Sequence, residues 1–204
     1  SERDVRRAMA AYYANIETID EQFREVVSCL QEAGQNMDDW IIIYTTDHGE
    51  MLGEHAVWEK QKFFEGSVRV PLLIRYPKGY GPSRCADNVN LIDLFPTLCE
   101  ICGIQRPEGL DGMSLVPCME GGTSREPNVT YSQYSHDCLM IKKDQLKYQW
   151  YGYEKSEVLF DLEKDPGENT DYSSDPAYEK EMEQFRRWKK RYWSEDWSHL
   201  REES

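Results

Sequence analysis

An unbroken apolar run, Trp40-Ile41-Ile42-Ile43-Tyr44-Thr45-Thr46, stops abruptly on Asp47-His48-Gly49. β-Branched and aromatic residues in series, without polar alternation, describe a strand buried on both faces, the kind found inside a parallel sheet. A second apolar run occupies 68–76. Before the first run, Met9, Tyr12, Tyr13, Ile16, Ile19, Phe23, Val26, Val27 and Leu30 step by three or four, which predicts a helix over 5–33 that stops at Gly34. After the second run, a Gly/Pro loop leads to a helix over 91–102, with Pro96 in its first turn and Gly103 behind it. Helices alternating with buried strands specify an α/β domain.

The pattern changes beyond residue 119. Residues 120–127 (EGGTSREP) read as a linker, which divides the chain into 1–119 and 128–204. Short strand-like segments follow at 129–134, 139–142, 146–151 and 158–162, with turns at Lys143-Asp144 and Gly152. They predict a small antiparallel sheet. Asp175-Pro176 then caps a last helix with Tyr178, Met182, Phe185, Trp188 and Tyr192 on one face, and the polar stretch 194–204 is expected to fray.

Charge limits the partners. A net charge of −14 repels phosphate backbones and anionic lipid, so neither nucleic acid nor a membrane surface is expected. An anion site on this chain must therefore create its own positive field, from a metal or a well-placed Lys. No apolar run approaches the ~20 residues that span a bilayer. The chain opens at Ser1 with charged residues and enters a helix at once, which looks like an internal cut. The six cysteines are irregularly spaced, and the C-x-x-C of Cys99 and Cys102 falls on an apolar helix, where buried inert thiols are the expectation. Asn128-Val129-Thr130 fits a glycosylation sequon, a pattern too short to carry weight.

Asp47 is the first candidate for chemistry. It follows a buried strand, and ligands of open α/β sheets bind at strand C-termini. A carboxylate, an imidazole and a permissive glycine suit a divalent cation: oxygen ligands favour Ca²⁺ or Mg²⁺, and His48 admits Mn²⁺, Fe²⁺ or Zn²⁺. The same three residues also suit a capped turn with an exposed imidazole. Lys60 is the second candidate, since a lysine beside a metal binds an anionic oxygen as a point charge. His55 reads as structural or as a support behind the site residues; His136 and His199 belong to no constellation. The intervening stretch 47–66 alternates Gly, acidic and aromatic residues and predicts a long loop with a short helical piece.

Longer wording now bears on these candidates. Tyr44-Thr45-Thr46-Asp47-His48-Gly49-Glu50-Met51-Leu52-Gly53-Glu54-His55, then Trp58-Glu59-Lys60, then Val70-Pro71-Leu72-Leu73-Ile74 resemble the sulfatase family. So do Asp93-Leu94-Phe95-Pro96-Thr97-Leu98 (D-L-x-P-T-L), Asp111-Gly112-Met113-Ser114-Leu115 (D-G-x-S-L) and Leu159-Phe160-Asp161-Leu162 running to Asp165-Pro166-Gly167-Glu168 (L-Y-D-L-x-x-D-P-x-E). Tyr13-Ala14-Asn15-Ile16 and Ile19-Asp20 match the helix that precedes the D-H-G strand in the family. The pieces stand in the family's order over about residues 12–190, and the wording around Lys60 is closest to the choline-sulfatase and iduronate-sulfatase branches.

The resemblance implies the C-terminal part of an alkaline-phosphatase-like α/β sandwich with a largely parallel sheet, followed by a small antiparallel sheet and a C-terminal helix. It implies that Asp47 and His48 are metal-site residues, with Ca²⁺ the usual ion and Mn²⁺ or Mg²⁺ as alternatives, and that Lys60 contacts the sulfate. The substrate would be a sulfate-ester small molecule or a sulfated sugar. The family's nucleophile, a formylglycine made within C-x-P-x-R, has no counterpart here: Tyr80-Gly81-Pro82-Ser83-Arg84 copies only its tail, with Tyr80 at the nucleophile position and in the wrong order. The family's first pair of metal carboxylates is also absent before Asp47. The chain is therefore expected to be a C-terminal portion, inactive alone, whose open face self-associates or is covered by a partner. Phosphoester or phosphonate hydrolases and phosphoryl transferases share the D-H-G turn, and a non-catalytic module that kept the fold is the remaining alternative.

Overall fold

The structure is a computed structural model that describes residues 1–60, 62–135 and 137–192, the last without its side chain. The expectations for His136, His199, the Tyr192 side chain and the tail 194–204 lie outside the described residues. The chain forms two compact units, Ser1–Pro82 and Ser83 onward.

The first unit opens with helix α1, Glu2–Glu32. At its start the Asp4 carboxylate accepts from the Ser1 hydroxyl at 2.7 Å and from the Ser1 amino group at 3.3 Å. The apolar stripe is where the periodicity puts it, yet no residue of α1 is buried. Tyr13, Ile16, Ile19, Phe23 and Val26 are all exposed. Within the unit, the Phe23 ring meets Tyr44 edge-on with centroids 6.2 Å apart. A 3-10 turn, Met37–Asp39, is capped by the Asn36 side chain and leads into strand β1, Ile42–Thr45. The short helix α2, Glu65–Val68, precedes strand β2, Leu72–Arg75. Arg75 reaches back to the turn before β1, donating to the Met37 carbonyl at 2.7 Å and pairing with Asp38.

The two strands correct one detail of the sequence reading. β1 and β2 pair antiparallel, with Ile43 opposite Ile74 and Tyr44 opposite Leu73. Neither strand is buried on both faces, and among the described residues no parallel neighbour flanks them. An apolar run reports that a strand wants cover; it does not report the direction of the strand beside it.

The second unit places a 3-10 turn, Leu91–Asp93, directly before helix α3, Leu94–Ile101, and then the short helix α4, Val116–Met119. The antiparallel sheet follows as expected: β3 Val129–Tyr134, β4 Cys138–Lys143, β5 Leu146–Tyr151 and β6 Ser156–Asp161, in spatial order β3-β4-β5-β6. Asp175 caps the 3-10 turn Pro176–Tyr178 by accepting from the Ala177 N–H, and helix α5, Glu179–Tyr192, continues from it. Tyr178, Met182 and Phe185 pack on Val129, Leu139, Ile141, Tyr148 and Leu159 as one core, with Trp188 partly buried beside it. Phe185 stacks on Tyr148 with centroids 5.4 Å apart.

Two of the motifs interlock. The Asp93 carboxylate is fully buried and accepts from the Asn90 N–H, the Met113 N–H and both ways from Arg125, at 2.7–2.8 Å. Thr97 donates to the Asp93 carbonyl and accepts from the Leu115 N–H at 2.8 Å. Gly112 sits so close to the Ile92 carbonyl that a Cβ there would collide with it. The D-L-x-P-T-L segment is thus bolted to the D-G-x-S-L segment through backbone groups that only those side chains satisfy. The stretch 120–127 is bonded into this unit too, through Thr123 and Ser124 on Asp87 and through Arg125 on Asp93. The D-P-x-E turn works similarly: Asp165 accepts from the Asn169 and Thr170 N–H groups, and Glu168 forms a buried ion pair with Lys147 at 2.6 Å.

Candidate active-site corner

Asp47 lies just past the C-terminal end of β1, and the turn it begins is built from its neighbours. Its Oδ1 accepts from the His48 N–H at 3.0 Å and from the Thr46 hydroxyl at 3.2 Å. The His48 N–H bond, with smaller help from the imidazole and Thr46, holds the carboxyl below the usual Asp range against a small opposing burial. Oδ2 points at His48 Nε2, 3.6 Å away. The other ring nitrogen, Nδ1, lies 2.8 Å from the Gly49 carbonyl. A carbonyl can only accept, so Nδ1 is the donor of this contact, and Nε2 is the ring nitrogen that faces the carboxylate. This is how proteins orient an imidazole for a metal: the outer nitrogen is tied to a carbonyl, the inner one is left to ligate. The donor set fits a divalent cation, with a carboxylate oxygen and an imidazole nitrogen 3.6 Å apart.

Gly49 is required by close approach. Its N–H donates to the Ser67 carbonyl at 2.7 Å, and a Cβ at Gly49 would run into the carbonyl oxygen of Gly66. The loop between them is fastened, not slack. Met51 is fully buried and donates its N–H to the Glu59 carbonyl at 2.9 Å, while Glu50 Oε1 accepts from the Glu59 and Leu52 N–H groups. The short helical piece expected here is the 3-10 turn Glu54–Ala56. Leu52, His55, Ala56 and Glu59 all take positive φ. Such conformations cost about 1–3 kcal/mol each and persist only where the surroundings dictate them. His55 stacks flat on Phe64, with centroids 4.0 Å apart.

Lys60 is exposed, and among the described residues no bond fixes its ammonium group. Its backbone is fixed: the Lys60 carbonyl accepts from the buried Ser67 hydroxyl and from the Lys62 N–H. Ser67 therefore holds both ends of the candidate site, Gly49 through its carbonyl and Lys60 through its hydroxyl. Sequence reasoning named Asp47, His48 and Lys60 but missed Ser67, because nothing local marks a serine whose two partners lie 18 and 7 residues away.

The comparisons with known proteins bear directly on this corner. The family model described as "Sulfatase" matches residues 1–104, and the model described as "N-sulphoglucosamine sulphohydrolase, C-terminal" matches residues 53–192. The chain belongs to the sulfatase family. A choline-sulfatase of Rhizobium meliloti is 38% identical over 184 residues, covering 86% of this chain and 35% of that protein. Among solved structures, the phosphonate monoester hydrolase of Agrobacterium radiobacter superposes with a TM-score of 0.72 at 30% identity, over 83% of this chain and 38% of that one. A protein solved in complex with its substrate D-glucosamine-2-N,6-O-disulfate gives 0.73 at 25% identity, over 89% and 40%. This sulfatase-family chain thus spans little more than a third of the lengths of the proteins it matches.

A second cluster in the sulfatase chain was not foreseen. Among the described residues, Cys85, Asp87 and Cys118 bring their donor atoms within 4.8 Å of one another. Burial and the neighbouring Cys85 thiol push the Cys118 thiol up to about 12. The C-x-x-C pair, in contrast, divides: Cys99 is buried as expected, whereas Cys102 is exposed.

Proposed function

We propose that this chain carries one metal corner and the sulfate contact of a metal-dependent sulfuric ester hydrolase. The observation that carries the reading is His48, whose Nδ1 is tied to the Gly49 carbonyl while Nε2 faces Asp47 Oδ2 at 3.6 Å. Asp47 and His48 would hold a divalent cation, Ca²⁺ by its preference for oxygen ligands, with Mn²⁺ or Mg²⁺ as alternatives. Such a cation supplies positive charge to the ester's non-bridging oxygens. Lys60 adds a point charge to the same oxygens, and its long stem lets it follow them as charge develops. His48 serves the reaction by holding the cation. The substrate class is a sulfate-ester small molecule or sulfated sugar, in keeping with the names of the choline-sulfatase relative and the disulfated-glucosamine complex.

The nucleophile, a formylglycine, is expected on a part of the protein outside these 204 residues. Two protein ligands rarely retain a cation that prefers six or more. The chain alone is therefore expected to bind calcium weakly and to be inactive. The exposed stripe of α1 and the open faces of β1 and β2 would then be covered by the rest of the protein or by a second copy.

Calorimetry with Ca²⁺ and Mn²⁺ on the intact protein tests the corner: the Asp47→Ala variant should lose a site that the wild type has. Equal metal content in both would remove Asp47 from it. The 30% identity to a phosphonate monoester hydrolase favours one second reading, hydrolysis of phosphonate or phosphate esters at the same corner. A higher kcat/KM for an aryl phosphonate monoester than for an aryl sulfate would replace the first reading with the second. Metal binding with turnover of neither ester would point instead to a non-catalytic module.

A further inference from the structure

The second unit builds a donor cluster that the sulfate chemistry does not use. Cys85 and Asp87 lie on the segment leading to the Leu91–Asp93 turn, and Cys118 lies in α4. The Asp87 carboxylate is positioned from one side by the Thr123 hydroxyl at 2.7 Å and the Ser124 N–H at 2.8 Å, both donating to Oδ2. The Cys118 thiol donates to the same oxygen at 3.1 Å. Ser124 in turn accepts from the Cys118 N–H at 3.3 Å, so carboxylate and thiol are fixed against one frame. Cys118 is buried, whereas Cys85 stands at the solvent edge of the cluster.

We propose that Cys85, Asp87 and Cys118 form a site for a thiophilic divalent cation, Zn²⁺ being the best fit, with water as the fourth ligand. Zinc takes sulfur at about 2.3 Å and carboxylate oxygen at about 2.0–2.2 Å in a tetrahedron, which sets S···S near 3.8 Å and S···O near 3.5 Å. The observed Cys118–Asp87 separation of 3.1 Å and the 4.8 Å limit on all three donors bracket those values. Cys85 is exposed, so its side chain can turn to close the remaining gap. Two sulfurs exclude Ca²⁺ and Mg²⁺ as preferred ions, so this site and the Asp47–His48 corner select different metals. Both thiols must be deprotonated to ligate, so each bound Zn²⁺ releases two protons to solvent while the ionised Asp87 releases none.

The test uses the intact, reduced, metal-stripped protein. Zn²⁺ is titrated against a chromophoric chelator, and Co²⁺ is used as a reporter of thiolate ligation through its charge-transfer absorption. The expected result is one tight zinc site and a Co²⁺ band that Cys85→Ser weakens at least tenfold in affinity, while Asp47→Ala leaves both unchanged. Loss of the band in Asp47→Ala with full retention in Cys85→Ser would overturn the proposal. An alkylation experiment on the wild type stands independently of how the variants fold. Zn²⁺ should protect Cys85 from iodoacetamide while exposed Cys29 and Cys102 react as before. Equal labelling of Cys85 with and without Zn²⁺, or a Cys85–Cys118 disulfide that forms unhindered in its presence, would overturn it as well.

Discussion

Gly49 donates its backbone N–H to the carbonyl of Ser67 at 2.7 Å, in a crossing so tight that no side chain fits on the Gly49 Cα. The third residue of the D-H-G turn is thus a packing requirement, and it determines where Asp47 and His48 point. Gly49→Ala must push the strand end away from residues 66 and 67. Overpacking of this kind costs about 1–3 kcal/mol. A shift of about 1 Å at a catalytic group can cost ~10²-fold in rate. The expected outcome in the intact protein is a lowered melting temperature together with a kcat/KM for aryl sulfate reduced about a hundredfold. Wild-type turnover in Gly49→Ala would mean that the crossing does not position the corner.

Ser67 couples the turn to Lys60, and its two bonds separate by mutation. Ser67→Ala keeps the carbonyl that Gly49 uses and deletes the hydroxyl that Lys60 uses. Metal content should then remain at the wild-type level while the proposed contact of Lys60 with the sulfate loosens, raising KM more than it lowers kcat. Lys60→Ala should show the larger loss, about 10²–10³-fold in kcat, the usual scale for removing one charge-stabilising donor. A Ser67→Ala variant that loses metal instead would place the serine's importance on the turn.

The second unit was the more legible part of the chain. Strands at 129–134 and 146–151 fall where alternation and turn residues put them, and Asp175 caps its helix as a lone Asp-Pro pair predicts. These are local signals, read within one element. What stayed hidden is every relationship that joins distant positions. Arg125 reaches Asp93, and Cys118 reaches Asp87, across more than thirty residues. The antiparallel pairing of β1 with β2 was hidden for the same reason: periodicity records what a face needs, not which partner supplies it. In the candidate site, Asp47 and His48 were readable because they adjoin a strand end, while Ser67 was not.

The Lys147–Glu168 ion pair explains why the D-P-x-E turn ends in an acid. Lys147 is fully buried on β5, and Glu168 is nearly so. Removing one partner strands a charge in the core, at a cost of about 3–5 kcal/mol. Glu168→Gln should therefore destabilise the protein by that amount in denaturant melts. Lys147→Met combined with Glu168→Gln should recover much of the loss, since no uncompensated charge remains. A double variant no more stable than Glu168→Gln would show that the pair's value lies in its hydrogen-bond geometry.

Acid should act on the same unit through two other carboxylates. Asp161 accepts from the Tyr178 hydroxyl at 2.5 Å and from the Glu163 and Lys164 N–H groups, and these bonds hold it below the usual Asp value in spite of burial, which opposes them. Glu157 is likewise held down, against burial, by Arg186, by the Tyr148 hydroxyl and by Lys189. A carboxyl whose folded-state pKa is depressed contributes stability that is fully present above its unfolded value, about 3.9 for Asp and 4.3 for Glu, and is lost as pH falls through the folded value. Denaturant midpoints should hence be flat with respect to these groups from neutral pH to about pH 5 and drop steeply below pH 4. Asp161→Asn should lower the midpoint at neutral pH and flatten the acid slope, because the variant has no proton to take up there. A variant with an unchanged slope would assign the acid transition to other groups, and the Tyr178 contact that joins β6 to the start of the last helix would be a contact without a titration.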